Sequence, residues 1–133
     1  MIKLKSLLGK NVEQMKFHIL KLCKLYNIKI KYISNCRDSY AHFPTKTVYI
    51  VPIESDISYS VALHEIAHCL KEGDPFDIDD EIIAWKWAKK NALIWTSKMQ
   101  KSMEGDIQNY IPSGPADSAA TRYKGYVDTI KSI

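Results

Sequence analysis

The pentapeptide His64-Glu65-Ile66-Ala67-His68 constrains this chain more than any other segment. Two histidines four positions apart fall on the same face of an α-helix, one turn apart and about 40° from each other around the axis. Their imidazoles can converge on one ion only if the segment is helical. The intervening Glu65 points about 100° around the helix, poorly placed as a third ligand and well placed to touch a water at the metal. The flanking residues support the helix. Tyr59, Ala62, Leu63, Ile66 and Leu70 gather on one side, and His64 and His68 face the other way with Ile57 and Val61. The apolar side buries while the histidine side opens to a cleft. Ser55 or Asp56 caps the helix, which runs to about Leu70 or Lys71 and ends near Gly73. Cys69 points away from the histidines and reads as a small core residue.

Two imidazoles need a third donor to make a metal centre. An acidic loop, Gly73-Asp-Pro-Phe-Asp-Ile-Asp-Asp80, follows the pentapeptide, and a long helix is expected from about Asp79 to Lys101. Glu81 shares one face of that helix with Trp85, Ala88, Ala92 and Trp95. If this face packs on the histidine helix, the small alanines permit close approach and Glu81 points at the metal from the first helical turn. A carboxylate is also electrostatically favoured there. Asp77, Asp79 and Asp80 stay open as metal-binding or supporting acids, with Asp74 a more distant choice. The metzincin layout is excluded, because Lys71 stands where its glycine belongs and no histidine follows His68.

The remaining chain reads as support. Val12, Met15, Ile19, Leu22, Cys23 and Tyr26 form a stripe at helical spacing, giving a helix over residues 11 to 26 with Asn11 as N-cap and Asn27 as its end. Ile28-Lys-Ile-Lys-Tyr-Ile33 alternates like a half-buried strand, and Ser34–Asp38 is turn-like. Lys46-Thr-Val-Tyr-Ile-Val51 is a β-branched strand stopped by Pro52. Lying just before the histidine helix, it offers an extended edge that could hold a peptide by strand addition. Gly105 and Ile111-Pro-Ser-Gly-Pro115 break the chain before a last helix over Ala116 to about Ile130. The fold class is α+β, mostly helical, with a small sheet beside the histidine helix. The 133 residues suit one domain, 1–133.

Composition narrows the function classes. Apolar residues make up 46% and charged residues 26%, a globular balance. No apolar run reaches the length of a membrane span, and the basic N-terminus lacks a signal-peptide pattern. Three cysteines, Cys23, Cys36 and Cys69, cannot all pair, so reduced thiols in a cytoplasmic location are expected. The net charge is +4, but 17 of the 19 basic residues are Lys, the composition of a solvated face. Without clustered Arg and aromatics, this argues against nucleic acid as the partner.

His64-Glu65-x-x-His68, followed after twelve residues by Glu81-x-x-Ala84-Trp85-x-Trp87-Ala88, resembles the small HExxH metallopeptidases of phages and mobile elements related to the ImmA/IrrE family. The resemblance covers roughly residues 46 to 95 and includes the run-in Val48-Tyr-Ile-Val-Pro52. It implies a zincin-like minimal domain, a Zn2+ cofactor held by His64, His68 and Glu81, Glu65 as catalytic base, and a specific intracellular protein or peptide as substrate. Ile83 departs from the pattern, since that position is often acidic in the family. Tyr40, His42, Tyr123 and Tyr126 are candidates to steady an oxyanion. The competing expectation is a zinc-binding interaction module with little turnover. A basic nucleic-acid-associated protein with an accidental motif is a third.

Overall fold

The computed structural model describes residues 4–70 and 78–109, with side chains from residue 12 onward. Helix α1 spans Leu4–Tyr26, strand β1 Lys29–Tyr32, strand β2 Tyr40–His42 and strand β3 Thr47–Ile50; then come helices α2 (Asp56–Leu70), α3 (Ile78–Asn91) and α4 (Ser97–Gln108). The α+β class, mostly helical with one small sheet, is as expected from the sequence.

Helix α1 begins earlier than the sequence pattern indicates, so Asn11 lies within it rather than capping it. Its end follows from local chemistry. Asn27 adopts the left-handed conformation at φ 58°, and Ile28 N–H reaches back to the Cys23 carbonyl at 2.8 Å. Asn27 N–H meets the Lys24 carbonyl at 3.4 Å, completing a Schellman closure whose Ile28 and Cys23 are both buried. The chain leaves directly into β1.

The sheet order is β1-β3-β2, with β1 parallel and β2 antiparallel to β3. This corrects one expectation. The β-branched strand β3 is central, its Val48 and Ile50 buried, so both of its edges are already paired. The unanticipated strand β2, only three residues long, forms the edge next to α2 instead. Its backbone turns into β3 through a 3₁₀ turn, Phe43–Thr45, closed by Lys46 in the left-handed region at φ 47°.

Helix α2 is the hub, packing against α1, β3, β2, α3 and α4. Ser55 is its N-cap: the Ser55 hydroxyl accepts Ser58 N–H at 3.2 Å, while the Ser58 hydroxyl accepts Ser55 N–H at 3.0 Å. Tyr59, Ala62, Leu63 and Ile66 are fully buried against Met15, Ile19 and Leu22 of α1 and Val48 and Ile50 of β3. Cys69 is buried in the same cluster, its thiol 3.6 Å from the Thr47 carbonyl and pushed up to about 11 by burial.

The single long helix expected from Asp79 to Lys101 is two helices. No Gly or Pro stops α3 at Asn91; tertiary hydrogen bonds do. Leu93 N–H donates to the Tyr59 hydroxyl of α2 at 2.9 Å instead of continuing the helix. Thr96 then caps α4, accepting Met99 N–H at 3.2 Å and donating its hydroxyl to Asp56 at 2.5 Å. Trp95 therefore sits between the helices and does not extend the Glu81 face. Gly105 lies inside α4, where an added Cβ would meet nothing, and is not a breaker. Met99, Met103 and Ile107 bury one face of α4, leaving Ser102 and Asp106 on the side toward α2 and α3. The expected last helix over 116–130 lies outside the described residues.

Candidate metal centre

One turn of α2 carries His64 and His68, and the first turn of α3 carries Glu81. Ser55 capping sets the phase of α2, and the buried Ala84, Trp85 and Ala88 seat α3 against it. The three side chains converge. His64 Nε2 is 2.7 Å from Glu81 Oε2, His68 Nε2 is 2.8 Å from Glu81 Oε1, and the two Nε2 atoms are 3.0 Å apart. One donor atom from each lies within 4.8 Å of the others, so the group could hold a metal ion. Among the described residues no other set of His, Cys, Asp or Glu does so. Asp79 and Asp80, also at the start of α3, are not in it; Asp74 and Asp77 lie outside the described residues.

The centre floors a cleft of about 450 Å³. α2 contributes Val61, His64, Glu65 and His68; α3 contributes Glu81 and Trp85; α4 contributes Ser102 and Asp106. The opposite wall is the stretch before and along edge strand β2: Cys36, Arg37, Ser39, Tyr40 and Ala41. Arg37 is the only Lys or Arg of that lining among the described residues. Ser39 Oγ is the one buried side-chain polar atom among the described residues without a hydrogen-bond partner. Of the proposed oxyanion donors, Tyr40 lines the cleft and stacks on Tyr49 at 4.3 Å. His42 does not line it and bonds Thr45 Oγ1 at 2.7 Å. Tyr123 and Tyr126 lie outside the described residues.

The electrostatics follow from burial opposed by charge. Glu81 is 1% exposed, and a carboxylate so buried needs compensation. Burial pushes its pKa up, but hydrogen bonds and charge from His64 and His68 outweigh this and bring it down to about 2. Burial likewise pulls His64 down, yet Glu65 and Glu81 overcome it and raise His64 to about 10. Glu65 stands on the far nitrogen of the ring: its Oε1 is 3.3 Å from His64 Nδ1. It lines the cleft but is turned toward the nitrogen opposite the one facing His68 and Glu81.

No family model matches this chain, nor does any curated protein or solved structure in the comparisons made.

Two residues escape sequence reasoning. Trp85, read there as a packing residue, lies flat against His64 with ring centroids 4.2 Å apart and planes 10° from parallel. Asp106, in a region read as a break, accepts the Trp85 indole N–H at 2.8 Å. Burial raises the Asp106 carboxyl, and the nearby Glu81 carboxylate adds to the effect. The available signal for Asp106 was the Met99, Met103, Ile107 stripe, which places Asp106 beside the buried face of its own helix.

Proposed function

We propose that this chain is a zinc-dependent peptidase of the small HExxH type related to ImmA/IrrE, acting on a protein or peptide. The observation that carries the proposal is the convergence of His64 Nε2, His68 Nε2 and a Glu81 oxygen at the floor of an open cleft. The donor set fits zinc: two imidazole nitrogens and one carboxylate oxygen are its ordinary ligands, and three protein donors is the catalytic count. Tetrahedral bonds of about 2.1 Å hold ligand atoms roughly 3.4 Å apart. The contacts of 2.7 and 2.8 Å, which go to different oxygens of Glu81, and the 3.0 Å between the two imidazole nitrogens are shorter than that by roughly 0.4–0.7 Å, so the three side chains must spread slightly to admit the ion.

Zinc in this place supplies a Lewis acid that polarises a carbonyl and makes water acidic near neutral pH. The chain's residues do the rest. Glu65 takes the proton of the attacking water on a carboxylate oxygen and returns it to the leaving amine. To do so it swings from His64 Nδ1 toward the cleft. Tyr40 offers a hydroxyl to the developing oxyanion, and the outer edge of β2, which no other strand pairs among the described residues, offers backbone groups to an extended substrate.

Glu65→Gln tests the assignment. Zinc content stays at the wild-type level, and cleavage of a casein or fluorogenic peptide substrate falls by about 10²–10⁴. The 3.3 Å contact between Glu65 and His64 Nδ1 favours a second reading, a zinc-binding interaction module in which Glu65 only supports the ring. That reading predicts no turnover in the wild type and weaker zinc binding in Glu65→Gln.

A further inference from the structure

A ligating histidine usually has its ring fixed by a hydrogen bond on the nitrogen that does not face the metal. For His64 that partner is Glu65, at 3.3 Å. If Glu65 serves as base it must leave Nδ1, and the ring then needs another restraint. The structure contains one. Trp85, 1% exposed, covers the face of the His64 ring at 4.2 Å and 10°. The indole is itself pinned, edge-on by Trp95 at 6.5 Å and by its N–H on Asp106 Oδ2 at 2.8 Å. Without that hydrogen bond, stacking alone would let the indole slide in its plane, since offset stacking is shallow.

We propose that Asp106 is a positioning residue for the metal centre: by holding the Trp85 indole N–H it fixes the plane of the His64 ring, so that α4 sets the geometry of a site to which it gives no ligand. This rests on the metal-site reading above.

The test uses the full chain with Co2+ as a spectroscopic substitute for zinc, and NMR of the metal-free protein. Asp106→Ala and Trp85→Phe each weaken Co2+ binding about 10–100-fold, the range for lost ligand-orienting contacts, and shift the visible Co2+ bands. The double variant is no weaker than either single one. Asp106→Asn keeps an amide oxygen for the indole N–H and restores affinity and spectrum. In the metal-free protein, the His64 ring protons, shielded by the indole in the wild type, move toward ordinary shifts in Asp106→Ala and not in Asp106→Asn. Wild-type Co2+ binding and spectrum in Asp106→Ala would overturn the proposal, as would Asp106→Asn behaving like Ala. If wild type took up no Co2+ while the ring shifts moved as stated, the metal reading would fail and the ring-holding role would stand. Unmoved ring shifts beside normal Co2+ uptake would mean the reverse. Trp85→Phe removes the same hydrogen bond from the other side and decides the matter should Asp106→Ala not fold.

Discussion

Glu81 Oε2 lies 2.7 Å from His64 Nε2 although 17 positions separate the two residues. The contact joins the first turn of α3 to the middle of α2 and buries both partners. Two helices that must dock for packing reasons thereby bring a carboxylate to a pair of imidazoles. Burial excludes competing water, which strengthens each of these interactions and makes each costly to leave unpaired.

Zinc uptake should depend on all three donors. Purified protein is expected to bind one zinc per chain, and His64→Ala, His68→Ala and Glu81→Ala to weaken binding by about 100-fold or more, above the usual effect of outer contacts. Asp79→Asn and Asp80→Asn should leave it unchanged. Metal analysis with a competing chelator makes the measurement; retention of zinc by Glu81→Ala would remove Glu81 from the site.

Zinc binding should release protons. His64 is raised to about 10, so near neutral pH its imidazole carries a proton that a metal must displace. Apparent affinity is expected to rise with pH, by up to about tenfold per unit between pH 6 and 8. Calorimetry in buffers of different ionisation enthalpy reads the proton count directly. In the metal-free protein the signs differ by partner. Glu81, lowered from 4.5 to about 2, contributes stability that is complete above pH 4.5 and lost as pH falls toward 2. His64, raised from 6.5 to about 10, contributes stability that is complete below pH 6.5 and lost as pH rises toward 10. The pair is thus most stabilising between pH 4.5 and 6.5.

Ala88→Leu should separate α3 from α2. Ala88 is fully buried where these helices meet, and overpacking costs about 1–3 kcal/mol. Because Glu81 rides on α3, the variant should also lose zinc affinity. Thermal denaturation and zinc titration report the two effects; an intact affinity beside a lowered melting temperature would show that Glu81 follows the metal independently of the helix.

Tyr59→Phe should destabilise the junction between α3 and α4. The Tyr59 hydroxyl accepts Leu93 N–H at 2.9 Å and lies 2.6 Å from His18 Nδ1. Its loss removes the acceptor of the Leu93 N–H, and because Leu93 is 59% exposed water can replace it, so the cost is about 0.5–1.5 kcal/mol. A fall in melting temperature of roughly 2–6 °C is expected, with hydrogen exchange faster around Leu93.

The readable features were local. Helical spacing placed His64 and His68 on one face of α2, marked Met15, Ile19 and Leu22 as core, and put Glu81 on the buried face of α3 with Trp85 and Ala88. Asn27 announced the end of α1. Such features depend on how neighbouring side chains share one helix or strand, and a periodicity records them. Tertiary structure decided the rest. The helix break at Leu93 follows from a hydroxyl 34 positions away, the paired state of β3 from a three-residue strand with little pattern of its own, and the entry of Asp106 from a bond to Trp85 across 21 positions. Glu65 standing against His64 Nδ1 is a rotamer choice set by the burial of both side chains. No spacing rule carries contacts of that kind, because they depend on which surfaces meet once the helices have packed.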